Sequence, residues 1–291
     1  MDALRVWETW RRLLTDDDLV AWIREPDPHN RAPDGLTADE TAILIEYSST
    51  PEATRSNIGM YRRGLMRNAL GALDLVPLTH NLLRASDLDE DAVAKQFSRA
   101  SGYHDFGPRF WHAAAAFVDF LADLPEFASA AHQDVLALDR ATIELALRLG
   151  ASRSVAWPGP GGEDAAGQKG QVHEHQVPFV ATVAATTIST SCDITPWIEN
   201  PFEFDAADSL ELTPLHVLVY FPSAEDGPEY ALVSARAAAA FEALSSPHDA
   251  DGLSAAIDGL TPEDAKAVLG ELMALGVVAR AAHLLEAAAT R

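Results

Sequence analysis

The chain has 291 residues, 48% of them apolar, and carries 44 Asp and Glu against 21 Lys and Arg, a formal net charge of −23. That length holds two ordinary domains with full cores, and that apolar fraction excludes a disordered chain. The acid excess sets the protein against nucleic acid and anionic membranes, whose charge calls for Lys and Arg.

Cys192 is the sole cysteine, so no intrachain disulfide forms, which fits a reducing cytoplasm. Asp2, Arg5, Glu8, Arg11 and Arg12 interrupt any apolar signal-type region, and the weakly polar run 177–188 is too short to span a bilayer. A cytoplasmic location with no membrane partner is the expectation.

In chain order, the first 150 residues are helical in pattern. Val6, Trp10, Leu13 and Leu14 recur at helical spacing, as do Leu65, Ala69, Ala72, Leu73 and Val76. Pro26, Pro28, Pro33 and Gly35 mark a loop before Thr37-Ala38-Asp39-Glu40, which has the spacing of a capping box. Asp87-Leu88-Asp89-Glu90 reads as a second helix start, with acids at the positive end of the dipole. Pro108 opens a helix that Pro125 closes, and 130–149 forms a last helix ending at Gly150. Trp111 and His112 in the first of these read as packing residues.

Composition then shifts. Residues 158–171 are rich in Gly and Pro and read as a linker or loop. Strand-like sequence follows at 172–183 and 186–190. The apolar run 215–221, a Gly227-Pro228 turn and a second short strand at 230–233 come next. Three helices near 235–245, 250–258 and 262–275 follow, and then Gly276-Val277-Val278. The expected fold is therefore α+β: an α-helical domain over 1–152, a Gly/Pro-rich linker over 153–171, and a winged-helix-like domain with a small β-sheet over 172–291.

DNA-reading wings and peptide-reading wings share this order of elements, and charge separates them. Residues 201–275 hold 14 acids against two bases, Arg236 and Lys266. A groove reader must neutralise phosphates, so this wing is expected to hold a peptide and not nucleic acid. A peptide bearing Lys or Arg would complement it.

Candidate chemistry is thin. Gly162 to Lys169 misses a phosphate-binding loop, because Gln168 separates Gly167 from the lysine and Gly170 replaces the magnesium-binding hydroxyl. His173 and His175 share a strand face but lack a third and fourth ligand unless Cys192 or His216 approaches. No Gly-x-Ser-x-Gly elbow is present, and Asp193 beside Cys192 would raise, not lower, the thiol pKa. No catalytic residue and no metal ligand is assigned. Arg55, Arg62, Arg63 and Arg67 form the only basic cluster, either a solvated helix face or a docking surface for an acidic partner.

Residues 58–65, Ile-Gly-Met-Tyr-Arg-Arg-Gly-Leu, through Asn68-Ala69-Leu70 resemble the Tyr-Arg-centred helix of a bacterial family commonly labelled DNA-binding. Its better-understood members are partner proteins of multinuclear non-haem iron enzymes in methanobactin and thiaglutamate-type peptide pathways. Phe117-x-x-Phe120-Leu121 before Pro125, and 136–147 with Glu144, resemble its next two helices. The basic residue before Tyr61 sits farther off than in the family, and 158–171 looks like an insertion.

The resemblance implies a non-catalytic accessory subunit in ribosomal peptide biosynthesis. It would have no cofactor of its own, the iron belonging to a barrel-fold partner enzyme. It would bind the leader of a ribosomal precursor peptide as an added strand beside Tyr230, Ala231, Leu232 and Val233, flanked by Ala265, Leu269 and Leu272. Arg55, Tyr61, Arg62, Arg63 and Arg67 would dock the partner enzyme. The rival readings are a DNA-binding regulator, and a stand-alone metal-dependent enzyme using His173, His175 and Cys192.

Overall fold

The computed structural model describes residues 2–24, 35–107, 110–152, 178–202 and 210–281. It is α-rich with small antiparallel sheets, an α+β protein. Among the described residues no helix is long and apolar enough to cross a membrane. The chain forms two compact units, Met1–Leu75 with Ser86–Phe120, and Val76–Ala85 with Leu121–Arg291.

The first unit holds α1 (Ala3–Thr15), α2 (Asp17–Trp22), α3 (Ala38–Ser48), α4 (Pro51–Ala72), α6 (Glu90–Ala100) and most of α7 (Phe110–Ala122). Acids start several of these helices. Asp2, Asp16 and Asp89 each accept a backbone N–H of the first turn, which satisfies a donor the helix itself cannot. The Thr37–Glu40 capping box is present with both reciprocal bonds. Pro51 sits in the first turn of α4, where its missing N–H costs nothing.

The core of this unit contains Leu13, Leu14, Leu19, Ile23, Leu44 and Ile58, with Trp10, Tyr47 and Tyr61 packed against it. Trp10 meets Tyr47 and Tyr61 edge-on at 5.7 and 6.3 Å. Phe97 stacks on Phe117 at 4.6 Å and joins α6 to α7. Trp111 is half-buried but His112 is exposed, so the packing role expected of that histidine is not seen.

The second unit is built on a three-stranded antiparallel sheet in the order β2 (Ala185–Thr190), β3 (Leu215–Tyr220), β4 (Glu229–Val233). A second, two-stranded pairing joins β1 (Phe179–Ala181) to β5 (Val278–Arg280). Side chains alternate across a strand. From the central strand, Leu218 and Tyr220 enter a core shared with α10 (Ala235–Ala243), α11 (Ala250–Ala256) and α12 (Pro262–Ala274). The opposite face, with Val217 and Val219, lies toward α8 (Ala130–Ala151), which packs on β2 and β3. Burial on both faces explains the unbroken apolar run at 217–220. A short helix, α9 (Thr195–Glu199), lies between β2 and β3 in sequence and buries Trp197.

The compact units divide the chain elsewhere than at the expected 152/172 break. Helix α5 (Pro77–Ala85) packs on α8, and both go with the sheet. Helix α8 also runs through Gly150 to Ala151 and ends only at extended Ser152.

Candidate functional site

The β4 edge is built by the sequence around it. Leu232 stands opposite Val217 and Tyr230 opposite Val219, in register with β3. β4 pairs with β3 alone, and no backbone hydrogen bond reaches its other edge among the described residues. Such an edge presents unpaired N–H and C=O groups at the spacing a further strand requires.

The four expected residues on β4 divide by face. Ala231 and Val233 pack against the helical core. Tyr230 turns the other way, its hydroxyl 3.4 Å from Thr142 Oγ1 on α8. Burial pushes its phenol pKa up, and nearby Asp139 pushes it in the same direction. Leu232 stays half exposed at 50%, the one large apolar side chain β4 offers to solvent.

The three expected residues on α12 lie elsewhere. Ala265, Leu269 and Leu272 are 0%, 4% and 1% exposed and belong to the core with Leu218, Phe241 and Leu253. They fill the core between α12 and its neighbours α10 and α11 and offer almost no surface of their own. Met273, at 36%, is the large apolar residue that α12 does expose. At the head of α12 Thr261 and Asp264 form a capping box, and Thr261 holds the Asp264 carboxyl below its usual range.

The basic cluster also divides. Arg62 is an internal tie: Nε donates to Leu14 O at 2.9 Å, Nη1 donates to Asp17 at 2.8 Å, and the guanidinium lies over Tyr103 at 5.1 Å. The first of those bonds satisfies a carbonyl in the last turn of α1. The Arg62 hydrogen bond is the main cause of a lowered pKa at Asp17. Tyr61 packs on Trp10. Arg55, Arg63 and Arg67 are exposed.

A buried polar cluster in the second unit gave no sign in the sequence. Asp139 of α8 is 0% exposed and accepts the Thr79 N–H at 2.6 Å, capping α5 across space. Burial raises its carboxyl to about 7, against the pull of the Thr79 amide and, more weakly, its hydroxyl. Among the described residues neither Asp139 Oδ1 nor Thr79 Oγ1 is in hydrogen-bonding geometry with a partner. Five residues earlier, Asp134 accepts the N–H groups of Ser191 and Cys192, each at 2.8 Å.

His173, His175 and the segment from Gly162 to Lys169 lie outside the described residues. Cys192 is 2% exposed, and its thiol is pushed up first by burial and then by Asp134, opposite to what a nucleophile needs. His216 Nδ1 stands 2.9 Å from Ser189 Oγ, its cross-strand neighbour.

Compared with known proteins, the chain matches no family model and no curated protein.

Proposed function

We propose that the protein is a non-catalytic accessory subunit in ribosomal peptide biosynthesis, one that takes an extended leader peptide as a fourth strand on β4. The observation that carries this reading is the β4 edge, unpaired among the described residues and bearing the half-exposed Leu232. The run of β3 and β4, three helices and β5 is the order expected of a winged, peptide-reading domain and supports this reading. Strand addition supplies main-chain hydrogen bonds, and Leu232 supplies an apolar contact on alternate residues of the ligand. The acid excess over 201–275 favours a leader with Lys or Arg and opposes DNA. The resemblance adds the partner: a multinuclear iron barrel enzyme that docks on the helical unit and performs the oxidation.

The test is affinity capture from the native host with the tagged chain, read by mass spectrometry, beside a Leu232→Lys variant. The expected result is a short precursor peptide and an iron protein with the wild type. The variant should retain the iron protein and lose the peptide. Recovery of DNA, or a peptide yield that Leu232→Lys leaves unchanged, would overturn the reading.

A further inference from the structure

α2 and the first half of α4 enclose a cleft of about 370 Å³. Among the described residues its charged lining is Arg24, Arg55, Arg62 and Arg63, with Glu52 the one acid. In a chain with twice as many acids as bases, that four-to-one ratio is inverted. Such an inversion marks a place where the molecule can meet negative charge.

The four guanidiniums are not equivalent. Arg62 is held by Leu14 and Asp17 and serves the fold. Arg55 reaches Glu52 only at 4.0 Å, with both side chains exposed, a pairing worth little. Arg24 and Arg63 have no ion pair or hydrogen bond among the described residues. A second observation bears on Arg63. Gly59 lies inside α4, where glycine is unfavourable. A Cβ there would stand 3.3 Å from Arg63 Nη1. With glycine there, the guanidinium of Arg63 lies close against the helix backbone beside the cleft.

We propose that this cleft seats the carboxylates of an acidic peptide segment of a partner protein. At a rise of about 1.5 Å per residue, Arg55 and Arg63 start about 12 Å apart along α4. An extended segment of about four residues, at about 3.3 Å each, covers that span with Asp or Glu at its ends. A compact anion such as a single phosphate meets one end only. Guanidinium forks match carboxylates bidentately, and among the described residues only Arg62 of the four is tied into the fold. The inference deepens the docking half of the proposed function, on which it rests, by giving the partner's segment a sign and a place. It does not depend on strand addition at β4.

The experiment is fluorescence anisotropy of the full chain with labelled hexaglutamate, with hexaglutamine as the neutral isostere and pyrophosphate as the compact anion. Hexaglutamate should bind and hexaglutamine should not, and raising salt from about 20 to about 200 mM should weaken the complex. Arg55→Gln with Arg63→Gln should raise Kd about tenfold, while Arg148→Gln, an exposed arginine of α8, should leave it unchanged. Both cleft arginines are exposed, so the double variant should keep its circular dichroism. Equal binding of the two peptides, no hexaglutamate binding, or an unaffected double variant would overturn the proposal. So would pyrophosphate binding without hexaglutamate binding, which would make the occupant a compact anion. Failure of peptide capture by β4 with hexaglutamate binding intact would sink strand addition alone, and the reverse result would sink this inference alone.

Discussion

Replacing Asp139 with Asn tests how the second unit holds a buried acid. The native carboxyl titrates near 7 and is fully buried, against an unperturbed value near 4. Between those two values the folded state keeps a proton that the unfolded chain has released. Stability therefore falls as pH rises from about 4 to about 7, and the loss is complete above the folded value. Three pH units correspond to about 4 kcal/mol at the upper end. Asparagine keeps the shape and an oxygen for the Thr79 N–H. Its NH₂ takes the place of Oδ1 and faces the unpartnered Thr79 hydroxyl. Against this, the amide brings two N–H groups into a dry site and leaves one of them unsatisfied, at about 1 to 2 kcal/mol. The expected result is near-equal stability at pH 5 and an Asn variant about 2 to 3 kcal/mol more stable at pH 8. Urea unfolding followed by far-UV circular dichroism at pH 5, 6, 7 and 8 reads both curves. Parallel pH profiles would refute the reasoning. So would an Asn variant that is less stable throughout, since that would mean Asp139 works as an anion across the range.

Arg62→Met should cost about 2 kcal/mol in urea unfolding, because it strips a charged donor from Leu14 O and Asp17, whereas Arg55→Met should change stability by less than about 0.5 kcal/mol. Leu269→Asp puts a carboxylate into a 4% exposed core site and should abolish the cooperative unfolding of the second unit, while Leu232→Asp should leave the melting curve within a few degrees of wild type. Thr261→Ala removes the hydroxyl of the α12 capping box and should cost about 1 kcal/mol. In the same variant NMR titration should find the Asp264 pKa risen toward its ordinary value.

Much of the fold was legible where local physics decides it. The three helices after β4 fall within two residues of their expected bounds, because Ser234, Asp249 and Thr261 cap their starts. The Thr37 box was readable from spacing alone. What failed to show was direction and distance. Leu269 and Leu272 read equally well as a groove or as a core, since an apolar helix stripe has one pattern for both. Arg62 and Arg63 are neighbours in sequence, yet one ties α1 to α4 and the other lies in the cleft. A turn of about 100° per residue separates them, and only the packing of α1 and α2 says which faces inward. Arg24 joined no cluster in the sequence because α2 brings it to α4 from more than 30 residues away. Asp139 in a helical pattern reads as solvent-facing, and its burial depends on α5 returning to α8 across 60 residues.

The acidity itself takes on a different meaning once its positions are known. Several acids that the sequence offers as an acidic surface are helix starters: Asp249 accepts the Gly252 N–H, and Asp264 closes a box with Thr261. Each stands at the positive end of a helix dipole, which cancels part of its field. Glu229 accepts the Tyr220 hydroxyl at 2.6 Å, and Glu242 accepts the Thr187 hydroxyl at 3.2 Å. The count of 14 acids over 201–275 thus overstates the field that a ligand at β4 would meet. Strand addition of a leader with Lys or Arg at β4 should then weaken with salt, but less steeply than the acid count suggests, because the backbone carries most of it. The arginine cleft, by contrast, offers the exposed Arg55 and Arg63, which the fold uses little, and its affinity should fall steeply with salt. A strong salt dependence of peptide capture at β4, matched by a flat one at the cleft, would show that the field follows the acid count after all.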